Sequence, residues 1–269
     1  MIDHTAAIEV RQLWQAHSMK WVLKDVTFEV RPGELAVLTG VNGVGKTTLL
    51  ATIAGATSAA RGDVSVNGFM RRQTYEAELA ARRSSMFLPS DVFIPPEITV
   101  LGYLEACASL FCSDQQHAAD RIEELLKLFA LTGSERQSVT SLSDGQRKKL
   151  GLFSVLLAER PVLLLDEPFS GGLDPAGILA VKRILRARAD SGQTILMTTP
   201  VIDLVAEVSD RLLVLRGGSL VHDLTRQEML TMTGPKDSLA ESLENLVFPE
   251  IHRRLDEYLQ PASGSGNNT

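Results

Sequence analysis

Residues 40–48 read Gly-Val-Asn-Gly-Val-Gly-Lys-Thr-Thr, with glycines placed just ahead of a lysine and two hydroxyls. Without Cβ atoms the backbone can curl until successive N–H groups converge, and a helix opening directly afterwards adds partial positive charge. That is an anion cradle. Its chemistry assigns Gly40, Asn42, Gly43, Val44 and Gly45 to phosphate contacts, with Lys46 reaching the β- and γ-phosphates. Thr47 then offers its hydroxyl to Mg²⁺, and Thr48 binds on the α-phosphate side.

A second constellation stands at Val162-Leu163-Leu164-Leu165-Asp166-Glu167. An apolar run delivers two acids to the carboxyl edge of a buried strand, where open α/β sheets bind ligands. Asp166 is placed to hold Mg²⁺ through water, and Glu167 to polarise an attacking water as general base.

These groups need a scaffold, and the chain is long enough for one. With 269 residues and 44% apolar composition it buries a full core without staples. Strands are expected at Val22–Val30 and Leu35–Thr39, followed by the glycine-rich turn, a helix over 47–54 and another strand over 63–67. From Pro95 to about Ala158 the pattern turns helical. Ala118, Ile122, Leu125, Leu126 and Phe129 fall at helical spacing after a Ser113-x-x-Gln116 start signal. Strands resume at Val162–Leu165, Thr194–Thr198 and Arg211–Leu215. Two short amphipathic helices are expected near the end, marked by Leu239, Leu243 and Leu246 and by Ile251, Leu255 and Tyr258, with Pro249 between them. Residues 261–269, rich in Gly, Ser and Asn, read as disordered.

Bulk properties narrow the function. A net charge of -6 argues against a general nucleic-acid binder and against adhesion to an anionic lipid surface. Cys107 and Cys112 have neither redox-pair nor zinc-knuckle spacing and read as reduced. No stretch reaches eighteen apolar residues, and residues 1–11 lack the halves of a signal peptide. The expected location is cytoplasmic, with protein partners holding the chain at any membrane it serves.

Leu142-Ser143-Asp144-Gly145-Gln146 lies about twenty residues before Asp166. With the two motifs above, in this order, the chain resembles the nucleotide-binding domain of the ATP-binding cassette (ABC) transporter family over roughly residues 8–223. The resemblance implies an α/β fold: a P-loop NTPase sheet domain with an inserted helical lobe and a short helical tail. Residues 1–90 would form the first part of the ATP-binding core, 91–158 the lobe with the signature motif, 159–225 the remaining core, and 226–269 the tail. It also implies Mg-ATP as ligand and a second ATP-binding subunit, the same chain or a homologue. Membrane-spanning subunits would be further partners. Ser143, Gly145 and Gln146 would meet the γ-phosphate of the opposite subunit. Asp174, in Ser170-Gly171-Gly172-Leu173-Asp174, would belong to the loop crossing the dimer interface, one residue later than usual. His17 takes the place of the aromatic that stacks on adenine, with Trp14 and Trp21 as alternatives.

Two positions depart from the family pattern. Ser90 stands where a glutamine linking Mg²⁺ to the lobe is expected, with Asp91 as a substitute in shifted register. Pro200 stands where the switch histidine is expected, at the start of a helix over 201–208 capped by Thr199. Both imply slowed hydrolysis. The implied function is ATP hydrolysis coupled to transport, in the direction of export. The alternatives are an ATP-dependent clamp on a soluble assembly and a subunit that closes on ATP and barely hydrolyses it.

Overall fold

The computed structural model describes residues 6–112, 114–233 and 237–259. The chain opens with β1 (Ile8–His17), β2 (Lys20–Val30) and β3 (Leu35–Thr39), then α1 (Lys46–Ala54). β4 (Arg61–Val66), β5 (Phe69–Met70), α2 (Tyr75–Ser84) and β6 (Ser85–Leu88) follow. Three helices come next, α3 (Val100–Phe111), α4 (Gln115–Leu128) and α5 (Asp144–Leu157), before β7 (Val162–Leu165) returns to the sheet. α6 (Pro175–Asp190), β8 (Thr194–Thr198), α7 (Ile202–Val208), β9 (Arg211–Arg216) and β10 (Ser219–Thr225) complete the alternation. The last elements are α8 (Arg226–Thr231), α9 (Leu239–Val247) and α10 (Pro249–Leu259), the last two divided at Pro249 as the sequence implies.

Two sheets result. β2-β1-β4-β5 is antiparallel, while β10-β9-β3-β8-β7-β6 is parallel except for β10 at its edge. The parallel strands read as unbroken apolar runs because both of their faces are covered. Alternate side chains separate into two cores. Leu35, Val37, Leu163, Leu165, Ile195 and Met197 join α3 to α7 on one face. Ala36, Leu38, Val162, Leu164 and Leu196 meet Leu49, Leu50 and Ile53 of α1 and the antiparallel sheet on the other. Each fully buried leucine of this kind contributes about 1.5–3 kcal/mol of transfer free energy.

Two local expectations are corrected. α4 is capped by Asp114, whose carboxylate accepts the N–H groups of Gln116 and His117 at 3.0 and 3.1 Å; Ser113 lies outside the described residues. α7 begins at Ile202 with no side-chain cap, so Pro200 precedes the helix instead of opening it. The Thr199 hydroxyl accepts the Val201 N–H at 3.1 Å, one residue before the helix starts. Residues 261–269, expected to be disordered, also lie outside the described residues.

Candidate nucleotide site

Strand register gathers the site at one edge. β8 lies between β3 and β7, pairing Leu38 with Thr198 and Leu165 with Met197. The carboxyl ends of three strands therefore stand side by side, and the residues that leave them are polar: Thr39, Asp166 and Thr198, all fully buried. Buried polar groups must be paired. The Thr39 hydroxyl donates to the Thr199 carbonyl at 2.8 Å, and Thr198 donates to Asp166 Oδ1 at 2.7 Å. Thr47, one residue into α1, donates to Asp166 Oδ2 at 2.8 Å.

The loop between β3 and α1 depends on glycine. Gly45 is the N-cap of α1 with φ of 113°, and a Cβ there would lie 2.9 Å from Leu23 Cδ2. No side chain caps α1, so its first N–H groups are left to an anion. Lys46 is 5% exposed, and its Nζ donates to the carbonyls of Gly40 at 2.8 Å and Val41 at 3.3 Å. Burial pulls its ammonium below the ordinary lysine value, while the charges of Glu167 and Asp166 oppose that shift. A desolvated cation wrapped by the loop is a strong partner for a polyphosphate.

Glu167 has φ of 48°, a left-handed conformation that non-glycine residues rarely adopt. Two contacts hold it there. Its N–H donates to the Thr198 hydroxyl at 2.9 Å, and its carbonyl accepts the Ser170 hydroxyl at 2.9 Å. Strain retained at one acid beside a phosphate loop marks a position fixed for function. A cleft of about 420 Å³ is lined by His17, Asn42, Gly43, Gly45, Lys46, Thr47, Thr48 and Glu167. His17 thus stands in the cleft. Trp14 and Trp21 instead pack edge to face on each other, with centroids 5.4 Å apart.

The Leu142–Gln146 motif builds a different feature. Ser143 and Gln146 form a reciprocal capping box at the start of α5: the Ser143 hydroxyl accepts the Gln146 N–H, and Gln146 Oε1 accepts the Ser143 N–H at 2.9 Å. Gly145 lies against the loop after Glu167, where a Cβ at 145 would approach the Gly172 carbonyl oxygen to 2.6 Å. Asp144 is 91% exposed and pairs with Arg147. The cleft beside it, lined by Ser90, Asp91, Asp144, Arg147 and Lys148 among others, shares no residue with the phosphate cleft. The start of α5 thus borders a cleft separate from the one lined by Lys46 and Glu167.

Asp174 caps α6, accepting the Gly177 N–H at 2.7 Å, and pairs with Lys149 Nζ at 3.3 Å. The Gly177 bond and then Lys149 hold its carboxyl below the ordinary range. Asp174 thereby ties the loop after Glu167 to α5. Ser90 contributes its backbone: its carbonyl accepts Lys148 Nζ at 2.7 Å. Lys148 is buried, which lowers its pKa, while Asp166, Glu167 and Asp91 act to raise it. Sequence reasoning missed Thr198 and Lys148 as parts of the site. A threonine closing an apolar run before a second threonine is the one signal for the former; nothing local distinguishes Lys148 from its neighbour Lys149.

The comparisons with known proteins agree on one family. The family model described as ABC transporter matches residues 23–170. The chain is 27% identical to the ABC-type transporter ATP-binding protein EcsA of Bacillus subtilis, over 88% of this chain and 94% of that one. It is 30% identical to the uncharacterized ABC transporter ATP-binding protein YthP of the same organism, over 81% and 86%. A solved ATP-binding subunit of an ABC transporter superposes with a TM-score of 0.80 at 28% identity, covering 90% of this chain and 99% of its own. The chain belongs to the ABC transporter family, as an ATP-binding component with the P-loop NTPase fold and ATPase chemistry. Among the described residues no helix is long and apolar enough to cross a membrane.

Proposed function

We propose that two such subunits, identical or homologous, close around Mg-ATP and that hydrolysis resets separate membrane-spanning subunits. The observation that carries this reading is the split site. Lys46, Thr47 and Glu167 line one cleft, with buried Asp166 bonded to Thr47 beneath it, while the start of α5 borders a separate cleft at Asp144, available to a phosphate held by a partner.

Within that reading Lys46 and the N–H groups at the start of α1 hold the β- and γ-phosphates. Thr47 and Asp166 are hard oxygen donors already 2.8 Å apart, a set that suits a hard cation such as Mg²⁺. Bound there, the ion supplies charge neutralisation of the phosphate oxygens. Glu167, fixed by Thr198 and Ser170, takes a proton from the attacking water. His17 stacks on the base. Asp174 and Lys149 transmit the state of the loop after Glu167 to α5, whose Lys148 holds Ser90, where the core runs into the lobe.

One observation favours slow turnover within this scheme. Pro200 is exposed beside Thr199 and offers neither a side-chain donor nor an N–H.

The test is Glu167→Gln, which keeps shape and removes the basic lone pair. With Mg-ATP the variant is expected to elute as a stable dimer and to lose hydrolysis. A variant that stays monomeric, or turns over at the parental rate, removes Glu167 from the role of base.

A further inference from the structure

One ridge of α5 runs through Gly145, Lys148 and Gly151, each three residues after the last. Both glycines mark close approach. A Cβ at 145 would come within 2.6 Å of the Gly172 carbonyl oxygen, and one at 151 within 2.8 Å of Val92 Cγ2. Between them the Lys148 stem packs on Gly171, with its Cγ 3.5 Å from where a Cβ of that glycine would stand. The ridge therefore touches two segments: the loop after Glu167, at Gly171 and Gly172, and the segment after β6, at Ser90 and Val92.

These segments leave neighbouring strands at the site. β6 pairs with β7, Leu88 opposite Leu165, and the Asp166 N–H donates to the Leu88 carbonyl at 2.8 Å. The chain after Leu88 thus departs beside Asp166. The loop at 170–172 is fastened to the neighbouring acid, because the Ser170 hydroxyl donates to the Glu167 carbonyl at 2.9 Å. The glycine contacts are van der Waals contacts without direction, which a packed helix can slide over. The directional contact is that of Lys148, whose Nζ donates to the Ser90 carbonyl at 2.7 Å. Lys148 is 8% exposed, and burying an ammonium is unfavourable unless carboxylates offset it. Burial lowers its pKa, and the charges of Asp166, Glu167 and Asp91 oppose that shift. A methionine would fill the same space without that cost, so packing alone does not call for a lysine here. Lys149 cannot stand in for it, since its Nζ bonds to the Phe129 carbonyl and to Asp174.

We infer that Lys148 is a positioning residue for ATP hydrolysis, pinning α5 to the Ser90 segment across the loop that follows Glu167, so that the placement of α5 sets the placement of the base. The inference rests on Glu167 acting as the base, as proposed above, and adds the route by which a shift of α5 reaches it. The same helix opens with Ser143, the group assigned to a partner's phosphate. Phosphate binding at that end of α5 therefore bears on the base in the chain's own cleft, and the two sites of a dimer are coupled through Lys148.

The experiment compares the full chain with Lys148→Met, which keeps the stem and removes the pin, and with Lys148→Arg, which keeps a cationic donor. The cleft of about 460 Å³ that Lys148 lines leaves room for the larger group. Lys148→Met is expected to unfold in urea no earlier than the parent, to bind Mg-ATP within about twofold of it, and to lose about tenfold or more in kcat. Lys148→Arg should recover most of that loss. Hydrogen exchange of residues 86–94 and 168–174 with Mg-ATP bound reads the same link without turnover, and both segments should exchange faster in Lys148→Met. Parental kcat in Lys148→Met, parental exchange in both segments, or a loss of rate that Lys148→Arg does not recover overturns the inference. The base itself is tested apart, by Glu167→Gln. If that variant turns over at the parental rate, the reading of Glu167 fails, while exchange still decides whether Lys148 pins the two segments.

Discussion

Thr198 is fully buried at the end of β8, and its single hydroxyl serves two partners. It donates to Asp166 Oδ1 at 2.7 Å and accepts the Glu167 N–H at 2.9 Å. Thr198→Val keeps the branched shape and deletes both bonds. Losing a hydrogen bond to a charged acceptor costs about 1.5–3 kcal/mol, and stranding a buried N–H adds about 1–3 kcal/mol. The new methyl group returns less than about 1 kcal/mol. A net loss of about 2–4 kcal/mol is expected from urea unfolding without nucleotide, since bound ATP would mask it by mass action. Catalysis should fall as well. Glu167 sits at φ of 48° because Thr198 and Ser170 hold it, and release lets the backbone relax toward negative φ. If Glu167 is the proposed base, displacing its carboxylate in this way should cost about 10- to 100-fold in kcat. ATP affinity should change little, because the bonds of Lys46 go to Gly40 and Val41 and not to Thr198. Thr198→Ser restores the hydroxyl and should recover both stability and rate. Parental stability and parental kcat in Thr198→Val would refute the reasoning; lost stability with an unchanged kcat would refute the tether on Glu167.

Lys46→Ala removes the buried ammonium and should abolish ATP binding, as measured by calorimetry; near-normal affinity would show that the phosphate loop is misassigned. On the proposed reading Pro200→His supplies a donor toward the γ-phosphate and should raise steady-state hydrolysis, since one such transition-state contact is worth about 10²- to 10³-fold. A parent that already turns over at about 10 s⁻¹ would mean that another group fills this role. Gly145→Ala places a Cβ 2.6 Å from the Gly172 carbonyl oxygen, a backbone atom that cannot swing aside. The variant should bind ATP as the parent does but dimerise and hydrolyse poorly, which size-exclusion chromatography beside an ATPase assay will read.

The chemistry of the phosphate loop was legible because it is local. Residues 40–48 carry their own backbone requirements, and Val162–Leu165 followed by two acids names a strand end without reference to anything distant. The strands Val162–Leu165 and Thr194–Thr198 fall where the apolar runs place them. β1, β6 and β10 do not announce themselves. β1 carries polar residues such as exposed Gln12 and half-buried Gln15 amid its apolar positions, and β6 has one fully buried residue, Leu88. A strand of that kind is fixed by the edge it pairs with more than by its own composition.

By itself the sequence determined which residues could hold phosphate and metal, and that Glu167 follows Asp166 at a strand end. It also determined that Pro200 lacks what a histidine would provide. Tertiary structure alone decided who stands beside whom. Parallel strands of similar apolar character are interchangeable on paper, so nothing in the chain says that β8 lies between β3 and β7. That order brings Thr198 to Asp166, and it creates the tether that keeps Glu167 in a backbone conformation its own residue type disfavours. The Nη2 of Arg71, buried without a hydrogen-bond partner between the end of α1 and α2, has the same origin. It arises because Glu78 is shared between two arginines once α2 folds against the end of α1, a crowding of charge that spacing along the chain does not reveal.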